Sequence, residues 1–143
     1  MPKPLTSKAT NTWQGNLFQG SGTTRLESSG LATFDVDWKA RTEEHGGRTN
    51  PEELIAAAHS SCFSMAFSNE LDSNGTPPTE LRTTAEVTFV AGEGITGIQL
   101  TCEARIDGIS EEDFQRIAEA AKTGCPVSQA LRATPIELTA KLV

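Results

Sequence analysis

The residues with the most chemistry in this sequence are its three cysteines, His59 and Glu52. Cys62 stands three residues after His59, and side chains at i and i+3 of a helix are neighbours. A thiol beside an imidazole makes a nucleophile pair of the thiol-hydrolase kind. Against that reading, no Asn or Asp is placed to orient the imidazole and nothing marks an oxyanion hole. The plainer reading of His59 is a partly buried, hydrogen-bonded side chain. Cys125 directly precedes Pro126 at the expected start of a short helix, where the partial positive charge of a helix N-terminus lowers a thiol's pKa. Cys62 and Cys125 are therefore either structural thiols or a redox pair. Cys102 falls on the apolar face of an expected strand and reads as a small buried hydrophobe. Glu52, at the second position of a helix, is favoured by the helix dipole; it is also a carboxylate able to hold a cation. Two histidines and three cysteines without ligand spacing argue against a zinc site. No phosphate-cradling glycine loop and no dinucleotide fingerprint is present.

These residues need elements to hold them. Three runs near Ala9–Phe18, Thr23–Ser28 and Thr33–Ala40 are broken by Gly/Ser turns and read as strands. In the third, Phe34, Val36 and Trp38 alternate with Asp35, Asp37 and Lys39, a half-buried strand. Asn50-Pro51-Glu52-Glu53 is a helix start, with Asn50 as N-cap, Pro51 at the first position and Glu53 three residues after the cap. The helix is expected to run to about Ser73, where Asn74-Gly75 and Pro77-Pro78 stop it. From Leu54 to Phe67 it carries no charge on any face, which predicts burial on most sides. Alternation at Leu81–Phe89 and again at Ile98–Ile106, around Gly92-Glu93-Gly94, predicts a hairpin. Ser110 caps a second helix with Phe114, Ile117, Ala118 and Ala121 on one face, ending at Gly124. A half-helix from Cys125 and a strand over Ile136–Leu142 complete an α+β, mostly antiparallel arrangement.

With 143 residues the chain is expected to form a single domain over 1–143. Twelve Lys and Arg against nineteen Asp and Glu give a net charge of −7, which argues against a nucleic-acid partner. The longest aliphatic run, Leu54–Ala58, is far short of a bilayer span, so no membrane partner is expected. Met1-Pro2-Lys3-Pro4 is followed by no apolar stretch, so no signal peptide is expected. An odd cysteine count without a close pair points to a cytoplasmic protein rather than a secreted disulfide scaffold.

Two blocks carry a family resemblance. Residues 50–66, from Asn-Pro-Glu-Glu-Leu through His-Ser-Ser-Cys-Phe-Ser-Met-Ala, and residues 124–131, Gly-Cys-Pro-Val-Ser-Gln-Ala-Leu, strongly resemble the OsmC/Ohr family and its OsmC branch. The resemblance implies an intertwined homodimer, with long central helices buried between antiparallel sheets, and a second subunit covering the uncharged helix. It implies a thiol-dependent peroxidase that reduces organic hydroperoxides, and hydrogen peroxide less readily. By motif, Cys62 corresponds to the peroxidatic cysteine, Cys125 to the resolving one, and Glu52 to a carboxylate that positions an arginine. That arginine falls at Arg41 on the OsmC pattern, with one residue of loop insertion, or at Arg25 on the Ohr pattern. An external dithiol, such as a lipoylated protein, is the implied reductant, and no metal, haem or flavin cofactor is required. The readings outside this class are a non-catalytic dimer binding a small apolar ligand and the Cys62–His59 hydrolase.

Overall fold

The computed structural model of the protein describes residues 2–143; Met1, the first residue of the expected domain, lies outside them. The chain divides into two compact units, the first ending at Pro51 and the second spanning Glu52–Val143.

The first unit is an antiparallel meander of β1 (Ala9–Gln14), β2 (Ser21–Leu26) and β3 (Thr33–Val36), with β2 in the middle. Gly22 is held to glycine by a close approach: a Cβ there would meet the Trp13 ring at 2.7 Å. The third run is not one strand to Ala40. It stops at Val36, and α1 (Trp38–Thr42) follows. The reason is Asp37, whose carboxylate accepts from the Ala40 N–H at 2.8 Å and caps the helix. The same carboxylate pairs with Arg48. The Asn50 amide donates to the Ala40 carbonyl at 2.8 Å, so the chain leading into the next helix is tied back to α1.

The second unit is built on α2 (Pro51–Ser73), whose first residue closes the first unit. Its end is a Schellman motif: Thr76 N–H bonds Leu71 O at 3.0 Å, Gly75 N–H bonds Asp72 O at 2.9 Å, and Gly75 takes φ +79°. The sheet runs in the order β4 (Glu80–Val90), β5 (Gly94–Arg105), β6 (Ile136–Leu142). The β4–β5 hairpin is antiparallel as expected, but β5 and β6 are parallel, joined by a crossover through α3 (Glu111–Gly124) and α4 (Pro126–Ala130). The second sheet is therefore mixed, which corrects the antiparallel sheets that the resemblance implied, while the arrangement stays mostly antiparallel as expected, with three of the four strand pairings among the described residues antiparallel. A helical crossover returns the chain to the same end of the sheet, and only a parallel strand can start there.

The α3 helix begins as expected, with the Ser110 hydroxyl accepting from Asp113 N–H at 3.1 Å and three acidic residues in the first turn. Phe114, Ile117, Ala118 and Ala121 face Phe63, Phe67 and Leu71 of α2 and Leu100, Cys102 and Ala104 of β5 in one core. The Phe63–Phe67 and Phe67–Phe114 rings lie with centroids 5.4 and 5.6 Å apart, a tilted packing that adds to the burial of their area. Within one chain α2 is not buried on most sides: it buries Glu52 and the stripe His59, Phe63, Phe67 and Leu71, while Met65 is 72% exposed. Among the described residues, no helix is long and apolar enough to cross a membrane.

Candidate active site

Cys62 sits beside the buried stripe of α2, one position before Phe63, and is half-buried. Cys125 is fully buried at the joint between α3 and α4. Its N–H closes α3 on Ala121 O at 2.9 Å, and its carbonyl opens α4 by accepting from Gln129 N–H at 3.0 Å. Pro126 occupies the first position of α4, where a missing N–H costs nothing. This joint brings the two sulfurs to 3.0 Å across 63 residues of sequence, with both cysteines free.

The two thiols are electrostatically unequal. Burial pushes Cys62 up, and its hydrogen bond with Cys125 and the charge of that neighbour push it further; the Val127 N–H opposes them. Burial also acts upward on Cys125, but the hydrogen bond with Cys62, the N–H and hydroxyl of Ser128 and the N–H of Val127 outweigh it and bring its thiol below the ordinary range. Within this unit the surroundings thus favour the thiolate form more at the buried Cys125 than at the half-exposed Cys62.

His59 is fully buried. Its Nε2 lies 2.8 Å from the Ser128 hydroxyl, and its Nδ1 has no hydrogen-bond partner among the described residues. Burial lowers its pKa, so the ring is neutral at physiological pH. The Cys62–His59 pair of the hydrolase reading does not form: the imidazole turns to Ser128 rather than to the thiol. Cys102 is fully buried on β5, where its sulfur accepts from the Thr83 hydroxyl at 3.5 Å, and burial raises its thiol pKa. It is the small core residue expected.

A family model described as OsmC-like protein matches residues 44–141. The sequence is 45% identical over 124 residues to peroxiredoxin OsmC of Escherichia coli, covering 85% of this chain and 86% of that protein. The chain belongs to the OsmC-like family. An organic hydroperoxide resistance protein-like 2 of Staphylococcus saprophyticus is 34% identical over 98 residues, covering 63% of this chain and 68% of its own length. An organic hydroperoxide resistance protein of Elizabethkingia anophelis, solved with thiocyanate bound, shares the fold with a TM-score of 0.67 at 28% identity, over 99% of this chain and 98% of that one. An OsmC-like protein of Mycoplasma pneumoniae superposes with a TM-score of 0.73 at 15% identity, over 99% of each chain.

The OsmC-like match includes Glu52, His59, Cys62, Cys125 and Ser128 and begins after Arg41. Glu52 is buried in the first turn of α2, ten residues and so roughly 15 Å of helix axis before Cys62. Arg41 is half-buried on α1 in the first unit. Arg25 is exposed on β2 and paired with Glu27 at 2.9 Å. The sequence assigned no role to Ser128, whose partner His59 lies 69 residues away and leaves no local signal.

Proposed function

We propose that the protein is a cysteine peroxidase that reduces organic hydroperoxides, and hydrogen peroxide less readily, to alcohols or water. The observation that carries the reading is the pair of free sulfurs 3.0 Å apart, one half-exposed and one sealed. A hydroperoxide reaches Cys62 and does not reach Cys125. The Cys62 thiolate attacks the distal peroxide oxygen, the O–O bond breaks, and the alkoxide leaves with a proton as alcohol. Cys62 remains as a sulfenic acid. Cys125 then attacks that sulfur, the S–O bond breaks, water leaves, and a Cys62–Cys125 disulfide forms. An external dithiol, which on this reading is a lipoylated protein of the cytoplasm, exchanges with the disulfide and restores both thiols. The two cysteines give two electrons to the peroxide and regain two from the dithiol, and the steps use no metal or organic cofactor.

Within one chain the surroundings favour the thiolate at Cys125 over Cys62, so the attack needs a cation that favours the charge on Cys62. On this reading Arg41 is that cation, with Glu52 fixing its guanidinium. The roughly 15 Å between Glu52 and Cys62 along α2, and the 72% exposure of Met65 on its uncovered side, favour a homodimer. In that dimer α2 becomes a central helix, and Glu52 of one subunit serves the thiol of the other.

Steady-state turnover of cumene hydroperoxide against hydrogen peroxide, with dihydrolipoamide as reductant, tests the assignment. Turnover should favour the organic substrate and vanish in Cys62→Ser. Cys125→Ser should oxidise once and stall unless an external thiol resolves the sulfenate. A Cys62→Ser protein that turns over like the parent would remove the peroxidase reading. Mixing Glu52→Ala with Cys62→Ser subunits tests the composite site: activity should reappear in the heterodimer. Verified subunit exchange without recovery would put the whole site within one chain.

A further inference from the structure

The steps above leave His59 idle, although it is a fully buried imidazole one turn before the reactive thiol. Its position is explained by where its ring points. The α2 helix carries both His59 and Cys62; α4 carries Ser128, and Cys125 stands at its head. The Ser128 hydroxyl of α4 reaches α2, 2.8 Å from His59 Nε2, and Ser128, three residues after Cys125, is among the groups that lower the Cys125 thiol.

The protons on this chain follow from what is left unpaired. His59 Nδ1 has no partner among the described residues. An unmatched lone pair is tolerated more readily than an unmatched buried N–H. The proton therefore belongs on Nε2, which donates to Ser128 Oγ. With that lone pair occupied, the hydroxyl hydrogen is free to donate to the Cys125 sulfur. A hydroxyl that both accepts and donates is polarised in the sense that favours a thiolate. The groups acting on that sulfur are Cys62 from α2, and the Val127 N–H and the Ser128 N–H and hydroxyl from α4; His59 reaches it only through Ser128. The imidazole is neutral and takes no proton itself.

We propose that His59 and Ser128 form a hydrogen-bonded relay that positions the Cys125 sulfur and activates it for closing the disulfide. This rests on the peroxidase reading and assigns to that site two positioning residues. In the step concerned, the Cys125 thiolate attacks the Cys62 sulfenic sulfur, the S–O bond breaks, and the hydroxide leaves as water with a proton from solvent. The relay holds the attacking anion and releases its hydrogen bond as the sulfur becomes neutral. In the reverse sense it stabilises Cys125 as the leaving thiolate when an external dithiol attacks Cys62.

The size of the effect follows from two opposed terms. Losing a hydrogen bond to an anion raises a thiol by about one to two pH units. At pH below the parent pKa the thiolate fraction then falls roughly 10- to 100-fold, while each remaining thiolate becomes more nucleophilic with a Brønsted slope of about 0.4–0.5. The net slowing is about three- to tenfold, and it should disappear as pH rises past the shifted pKa. A merely structural defect would slow closure at every pH.

The experiment mixes reduced protein with one equivalent of cumene hydroperoxide, quenches at intervals and counts sulfenic acid and disulfide by mass spectrometry across pH. In Ser128→Ala the sulfenic acid should accumulate at neutral pH and the deficit should close at high pH. Ser128→Thr, which keeps the hydroxyl, should close the disulfide nearly as fast as the parent. If Ser128→Ala does not fold by circular dichroism, His59→Met against His59→Gln makes the same comparison, since only glutamine keeps an N–H donor. Closure in Ser128→Ala, or in His59→Met, as fast as in the parent at neutral pH overturns the relay alone. A slowing that does not depend on pH overturns it too. A parent protein that forms neither sulfenic acid nor disulfide overturns the peroxidase reading, and the relay falls with it.

Discussion

Closing the Cys62–Cys125 bridge should change the stability of the fold by an amount that the chain separation sets. The sulfurs are 3.0 Å apart across 63 residues, so oxidation needs little rearrangement of the native state and acts chiefly on the unfolded one. For a loop of that size the chain-entropy relation gives a stabilisation of about 4 kcal/mol at 25 °C. At about 2.1 cal/mol/K per residue, 143 residues unfold with an entropy near 0.3 kcal/mol/K. The two together predict a rise in Tm of roughly 10–15 °C on oxidation. The assay is differential scanning calorimetry at one protein concentration, on Cys102→Ser protein treated with dithiothreitol or with one equivalent of hydroperoxide. Cys125→Ser should show no such rise. An oxidised sample that melts at or below the reduced one would refute the reasoning, because closure would then distort the native fold more than it restrains the unfolded chain.

His59 predicts an acid limb. Its pKa is lowered in the fold by burial, so below the unfolded value of about 6.5 the unfolded chain binds the extra proton. Stability should be level above that pH and fall by up to about 1.4 kcal/mol per pH unit as acid is added toward the lowered native value; denaturant titrations should find this slope reduced in His59→Gln. Cys102→Ser should cost about 1–3 kcal/mol for a hydroxyl in a closed apolar site, read as a lower urea midpoint, while peroxide turnover persists. In native protein Cys102 should also react with iodoacetamide last, since burial both raises its thiol and hides it. Ser110→Ala should cost about 1 kcal/mol through loss of the α3 cap, again without effect on turnover.

Local signals in the sequence translated well into local structure. Asn-Pro-Glu-Glu and Asn-Gly bound α2 where they were expected to, and Ser110 caps α3, because capping is decided by side chains within a few residues of the backbone they bond. Alternation misled at Asp37: a carboxylate on the polar face of a strand and one capping a helix look alike until the next turn forms. The parallel pairing of β5 with β6 was not legible, since no residue in either strand encodes the direction of its partner. Of the site, the family blocks pointed to Cys62 and Cys125, but their contact and their inequality come from the joint between α3 and α4. His59 was read as a hydrogen-bonded histidine and is one. What it bonds was hidden, because Ser128 is 69 residues away.

The crossover between β5 and β6 has a consequence for how the chemistry first appears in a newly folding chain. Cys125 lies inside it, between two strands that pair in parallel, and such long-range pairing belongs to the slow part of folding. Until α3 has docked on α2, Cys125 is an ordinary thiol remote from Cys62, with no Ser128–His59 contact beside it. The same docking event completes the core and brings the two sulfurs together. An incompletely folded chain therefore carries three separate cysteines, and under the proposed peroxidase function its sensitivity to oxidant is acquired only together with its native topology.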